Sequence, residues 1–119
     1  MVVDLAPRPT SAAEARRIVA RALRALDDET RDLAVLLASE LVTNAVLYAD
    51  GDIHLHIDPV EQRWRISVSD TSERTVAPKR VDNDATSGRG LALVERLSLA
   101  WGIDLRDGGK DVWFELPRA

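Results

Sequence analysis

The chain has 119 residues, 45% of them hydrophobic and 30% charged, with a net charge of −4 and no cysteine. That is enough length for one domain with one core and too little for two. The acidic balance argues against a general nucleic-acid surface, and the missing thiols exclude disulfides and thiolate metal sites and fit a reducing cytoplasm.

The opening stretch MVVDLAPRPTS lacks the apolar run of a signal peptide. Val2 to Leu5 predicts a short edge strand, and Pro7 and Pro9 then break the pattern. Ser11 followed by Glu14 reads as a capping box, so a helix is expected from about Ala12. Ala15, Ile18, Val19, Ala22 and Leu26 form its apolar stripe. Arg16, Arg17, Arg21 and Arg24 fall outside that stripe, as a solvated face or as a basic surface for an acidic partner.

Asp27 to Thr30 supplies the next N-cap, before the apolar run LAVLLASELVTNAVLYA at 33–49. A helix apolar almost all round is a buried one. This one is interrupted by Ser39, Glu40, Thr43 and Asn44, so it does not read as a membrane span. Glu40 and Asn44 lie one helical turn apart on one face, where apolar neighbours are expected. A buried carboxylate there needs a partner from the fold, or a ligand with its cation. Asp50-Gly51 is expected to end the helix.

Ile53, Leu55 and Ile57 alternate with His54 and His56, the pattern of a half-buried strand with the histidines outward. Asp58-Pro59 is expected to turn the chain. Trp64, Ile66 and Val68 form the inward row of a second strand, and parity adds Asp70 to that row. Residues 71–86 show no period, which suits a functional or mobile loop. Ser87-Gly88-Arg89-Gly90 is expected to open a helix running from about Leu91 to Leu99. Trp101, Ile103 and Leu105 give a third alternating strand, Asp107-Gly108-Gly109 a hairpin turn, and Val112, Phe114 and Leu116 a fourth strand. Strands apolar on one face only exclude a doubly wound parallel sheet. The expected fold is α+β: a two-layer sandwich with helices on one face of a mixed, mostly antiparallel sheet, in a single domain over 1–119.

The polar residues in this frame suit a nucleotide. An inward carboxylate accepts a hydrogen bond from an exocyclic amine. The Asn44 carboxamide oxygen is a hard ligand for Mg²⁺, and Glu40 can take a proton from a hydroxyl or water. Glycines before a helix let backbone N–H groups approach an anion, although Gly88-x-Gly90 alone is a weak signal and is not a Walker loop.

The order ExxxN on a helix, Asp at a strand end, a loop and GxG before a helix resembles the histidine-kinase-like (GHKL, Bergerat-type) ATP-binding domain. More narrowly, ELVTNAV, VSDTS, SGRGLALVERLSLAWG and GKDVWFELP resemble successive boxes of the anti-sigma-factor serine/threonine kinases and their actinobacterial relatives. The resemblance covers about residues 5–116. It implies an ATP-binding protein kinase in which Asn44 holds Mg²⁺ and Asp70 reads the adenine amine. Ser72, Ser87, Gly88, Arg89, Gly90 and Leu91 contribute to the nucleotide site, and Glu40 is the catalytic base. It also implies a cytoplasmic regulator whose partners are an anti-anti-sigma factor or a sigma factor, contacted near Arg16 and Arg17, and dimerisation through the sheet edge or the first strand. No nucleic-acid or membrane partner is implied. The alternative is a nucleotide-binding regulator that sequesters a partner without phosphotransfer. Three positions depart from the pattern: Ser72 replaces the first glycine after Asp70, Tyr48 stands where relatives often have His, and Lys110 stands where a Thr often helps bind adenine.

Overall fold

The computed structural model describes residues 1–48, 51–70 and 85–118, with the backbone alone at 85–90. In chain order the elements are β1 (Val2–Leu5), α1 (Thr10–Ala22), α2 (Asp28–Tyr48), β2 (Ile53–Val60), β3 (Arg63–Asp70), α3 (Ala85–Leu97), β4 (Ala100–Arg106) and β5 (Gly109–Pro117). The strands form one five-stranded sheet in the order β1-β2-β3-β5-β4. Every neighbouring pair is antiparallel, and β1 and β4 are the edges. The helices pack on one face, α2 across β3, with α1 and α3 against α2. This is the two-layer α+β sandwich expected from the strand alternation.

The core lies between the layers. It joins Val19 of α1 and Leu37, Leu41 and Val42 of α2 to Ile53, Leu55, Ile66, Val68, Phe114 and Leu116 of the sheet, with Val94 from α3. Each of these side chains is almost wholly buried. Burying one such side chain contributes roughly 1.5–3 kcal/mol, so the apolar rows of β2, β3 and β5 and the apolar side of α2 hold the layers together, whereas Ile103 and Leu105 of the edge strand β4, expected inward, are 39% and 59% exposed. The predicted stripe of α1 faces this core, and Arg16, Arg17, Arg21 and Arg24 are exposed. His54 and His56 lie on the opposite, open face of the sheet. There His54 Nδ1 meets Asp4 Oδ1 across β1 and β2 at 2.7 Å. Among the described residues, no helix is long and apolar enough to cross a membrane.

Several boundaries differ from the sequence pattern, each for a local reason. Helix α1 starts at Thr10 and has no side-chain cap; Pro9 sits at the N-cap position with φ −58° and ψ −32°. The proline ring sets a helical φ, which moves the start upstream of the supposed capping box. Ser11 is buried, and its hydroxyl donates to the Ala6 carbonyl at 2.5 Å, tying α1 to the end of β1. The Asp27 cap is as expected, with Oδ2 accepting from the Thr30 N–H at 3.0 Å. That hydrogen bond from the Thr30 backbone is the main reason the Asp27 carboxyl lies below its usual value.

Asp58-Pro59 does not turn the chain. Both stay in β2, opposite Arg65 and Trp64. The Ile57 N–H donates to the Met1 carbonyl at 3.0 Å, so the N–H side of alternate residues faces β1. Pro59, two residues on, points the same way beyond the start of β1, where the ladder has no acceptor to lose. The turn falls instead at Glu61-Gln62, with Glu61 at φ 57°. Gly109 likewise belongs to β5, opposite Arg106, leaving Asp107-Gly108 as the turn with Gly108 at φ 79°. Helix α3 begins at Ala85, not Leu91, and ends at Leu97. Glycine costs about 1 kcal/mol inside a helix relative to alanine, which weakens but does not forbid helix at 88 and 90. The proposed helix stop at Asp50 and the long loop at 71–84 lie outside the described residues.

Candidate nucleotide-binding site

The end of β3 carries Asp70. Side chains alternate along a strand, and Asp70 continues the inward row of Ile66 and Val68. It is 3% exposed, on the helix-covered side of the sheet. Directly opposite on β5 stands Lys110. Its ammonium lies 2.7 Å from Asp70 Oδ2, and the two side chains are 17% and 4% exposed. Removing both charges from water costs several kcal/mol, and their close pairing offsets that cost.

The main chain around this pair is tightly fitted. A Cβ at Gly109 would lie 2.1 Å from the Asp70 carbonyl oxygen, so only glycine lets β5 approach β3 there. Arg106 Nη2 donates to the same carbonyl at 2.9 Å, while its Nη1 pairs with Asp111. Three strands thus converge on the main chain of Asp70.

Helix α2 supplies the next polar groups. Its buried positions are Ala34, Leu37, Ala38, Leu41, Val42 and Ala45. Glu40 and Asn44 flank that row and are only half-buried. The expectation of a carboxylate enclosed by apolar neighbours is therefore corrected. The helix is not buried all round, since Leu36 and Leu47 are 42% and 56% exposed. Glu40 and Asn44 sit on the rim between the buried and exposed sides. Neither side chain pairs with another of the described residues, and both remain open to a ligand.

The remaining predicted residues fall in several places. Residues 87–90 fall inside α3 and not before it: counted from Ala85, Ser87 and Gly88 are among the first four positions, whose N–H groups have no intrahelical acceptor, while Arg89 and Gly90 lie where the helix supplies one a turn back. Leu91 is half-buried against the core. Ser72 lies outside the described residues. Arg16 and Arg17 are exposed on α1, and Arg16 Nη1 donates to Ser39 Oγ at 2.9 Å, one residue before Glu40. The structure thus joins Asp70 to Lys110, Gly109 and Arg106, and sets Glu40 beside Asn44. Sequence reasoning missed Arg106. A two-residue turn at Asp107-Gly108 would have put Arg106 opposite Gly109, but its reach to Asp70 also needs the register of β3 on β5.

The α+β sandwich thus sets a strand-end carboxylate beneath a helical layer whose rim carries Glu40 and Asn44. The family model of the histidine kinase-like ATPase domain matches residues 5–116, and the chain belongs to that family. A search of curated proteins returned no match. Among solved structures, the chain is similar to the RsbU and RsbW domains of Rv1364c from Mycobacterium tuberculosis, with TM-score 0.75 and 21% identity over 98% of this chain and 31% of that one. It is also similar to the histidine kinase domain of the blue-light activated histidine kinase from Erythrobacter litoralis, with TM-score 0.62 and 21% identity over 89% of this chain and 60% of that one. A third is the histidine kinase AdeS of Acinetobacter baumannii, with TM-score 0.61 and 11% identity over 99% of this chain and 68% of that one. The chain spans about a third of the first of these structures. At such identities the likeness is one of fold.

Proposed function

We propose that this domain binds ATP with Mg²⁺ and transfers phosphate to a serine or threonine of a partner protein, as a cytoplasmic regulator of the anti-sigma-factor kinase type. The observation that carries the reading is the buried carboxylate of Asp70 at the end of β3, under the layer in which α2 presents Glu40 and Asn44. Asp70 would accept a hydrogen bond from the base amine. The N–H groups at the start of α3, with Ser87, Gly88, Arg89, Gly90 and Leu91, would meet the phosphates, and Ser72 would lie beside the base.

The donor set suits Mg²⁺ of a particular kind. Asn44 offers one hard oxygen, and the described residues include no group of three or more metal-binding side chains. Mg²⁺ is commonly held by one or two protein oxygens together with substrate phosphates and water. Bound there, it would neutralise phosphate charge. Glu40, half-exposed and one turn from Asn44, would accept the proton of the attacking hydroxyl. Arg16 and Arg17 on α1 provide a basic surface for an acidic anti-anti-sigma or sigma partner.

One observation favours a second reading, a nucleotide-binding regulator that sequesters its partner without phosphotransfer. Lys110 engages the carboxylate that should read the base. Calorimetric titration with ATP, with and without Mg²⁺, tests the shared step. Magnesium-dependent binding is expected. Asn44→Ala should lose it while the thermal melt is retained, and persistent binding would remove Asn44 from the metal site. Glu40→Ala should still bind Mg-ATP but lose phosphate transfer to the partner. Transfer retained by that variant places the base elsewhere, and no transfer by the wild-type chain selects the second reading.

A further inference from the structure

Lys110 changes what the end of β3 offers to a base. A carboxylate alone is acceptor-only, so it selects an exocyclic amine and repels a carbonyl oxygen. Here an ammonium with three donors stands 2.7 Å from Asp70 Oδ2 and keeps 17% of its side chain exposed. An acceptor and a donor are therefore side by side at the same place. Resting on the proposed nucleotide site, we propose that the Asp70–Lys110 pair lets the site accept guanine as well as adenine, with Lys110 the residue that relaxes the discrimination.

The purine edges show why. Adenine presents its N6 amine, a donor, next to N1, an acceptor. Guanine presents the O6 carbonyl, an acceptor, next to the N1–H donor. The same two side chains serve both. With adenine, the amine donates to Asp70 and Lys110 donates to N1. With guanine, N1–H donates to Asp70 and Lys110 donates to O6. Without Lys110, guanine in adenine's position would set O6 against carboxylate oxygen, and shifted to bring N1–H to Asp70 it would leave O6 without a donor, so guanine would bind more weakly than adenine.

The surroundings divide the labour between the two residues. The main chain of Asp70 is held by Arg106 Nη2 on its carbonyl at 2.9 Å and by the close approach of Gly109. Lys110 carries its charge on a flexible four-carbon stem, so as guanine slides to bring N1–H to the fixed carboxylate the donor follows from the N1 side to O6.

The test is calorimetric titration of the full chain with Mg-ATP and Mg-GTP, for wild type, Lys110→Thr and Lys110→Arg. The wild type should bind the two nucleotides within about tenfold of each other. Lys110→Thr should weaken both nucleotides, because adenine N1 also loses its donor, but GTP at least about tenfold more than ATP, while Lys110→Arg, which retains a cationic donor, should keep the wild-type ratio. A wild type that binds ATP but rejects GTP overturns this inference and leaves the ATP reading intact. An unchanged ratio in a folded Lys110→Thr also overturns it. If Lys110→Thr fails to fold, the wild-type ratio and that of Lys110→Arg decide. A wild type that binds neither nucleotide overturns both readings.

Discussion

Two carboxylates on the β3–β5 pair invite comparison. Asp70 and Glu115 are 3% and 6% exposed, and both are ion-paired. Burial and pairing alone would rank them equally as site residues. They differ in the face of the sheet they occupy. Glu115 lies on the open side, where Oε1 accepts from Arg63 at 3.0 Å and Oε2 from Arg65 at 2.8 Å. The Arg65 guanidinium also lies 4.3 Å from the centre of the Trp113 ring. Each oxygen of Glu115 has its own arginine, so the cluster reads as a brace across the two strands. Asp70 lies at a strand end on the helix-covered side, beneath the layer that carries the Glu40–Asn44 rim. Position relative to the helices, more than burial, separates a functional candidate from a structural one.

The most direct way to break this comparison is to neutralise each carboxylate in turn. Asp70→Asn turns an acceptor into a group that also donates toward the base. Nucleotide binding should weaken by roughly tenfold to a hundredfold, as expected for a lost hydrogen bond to a charged group. Glu115→Gln should leave binding unchanged and instead lower stability by about 1–2 kcal/mol, because one arginine loses its charged acceptor while remaining partly solvated. Urea melts and titrations on both variants read the two effects separately. If Glu115→Gln weakened binding as much as Asp70→Asn, the distinction between the faces would fail.

Acid sharpens the same contrast. Burial pushes the Glu115 carboxyl up, but the hydrogen bonds and charges of Arg65 and Arg63 outweigh it, and the net shift is downward from its ordinary value of 4.5. A group lowered in the folded state contributes stability that is full above its unfolded value. That contribution is lost as pH falls below about 4.5 and on through the lowered folded value. The wild type should therefore lose more stability on acidification across that range than Glu115→Gln does. Equal acid sensitivity in urea melts would mean that the two arginines do not hold Glu115 charged.

Much of this contrast was legible before the structure. Parity along β3 put Asp70 on the inward face, and alternation placed the histidines outward. Other features depended on contacts distant in sequence. The pairing of Asp70 with Lys110 requires β5 to insert between β3 and β4, and no local pattern fixes that strand order. The half-exposure of Glu40 and Asn44 depends on how much of α2 the other helices cover. Asp58-Pro59 looked like a turn because the direction of the missing N–H is invisible in one strand alone. Ser11 looked like a cap because its true acceptor, the Ala6 carbonyl, lies behind it.

The two hairpin turns extend the comparison to the ends of the sheet. Near Asp70, the β4–β5 turn gives its left-handed position to Gly108, at φ 79°. At the far end, the β2–β3 turn gives its own to Glu61, at φ 57°. A left-handed backbone costs a residue with a Cβ roughly 1–2 kcal/mol, and asparagine bears it better than most. The Glu61 carbonyl accepts from Arg118 Nη1 at 3.0 Å, and a side-chain change leaves that acceptor in place. Glu61→Asn should therefore raise stability by about 0.5–1 kcal/mol in urea melts, with nucleotide affinity unchanged. The gain is small because only backbone strain is relieved. A change in affinity would couple the far end of the sheet to the site, and β3 would then have to be treated as a continuous lever rather than a fixed support for Asp70.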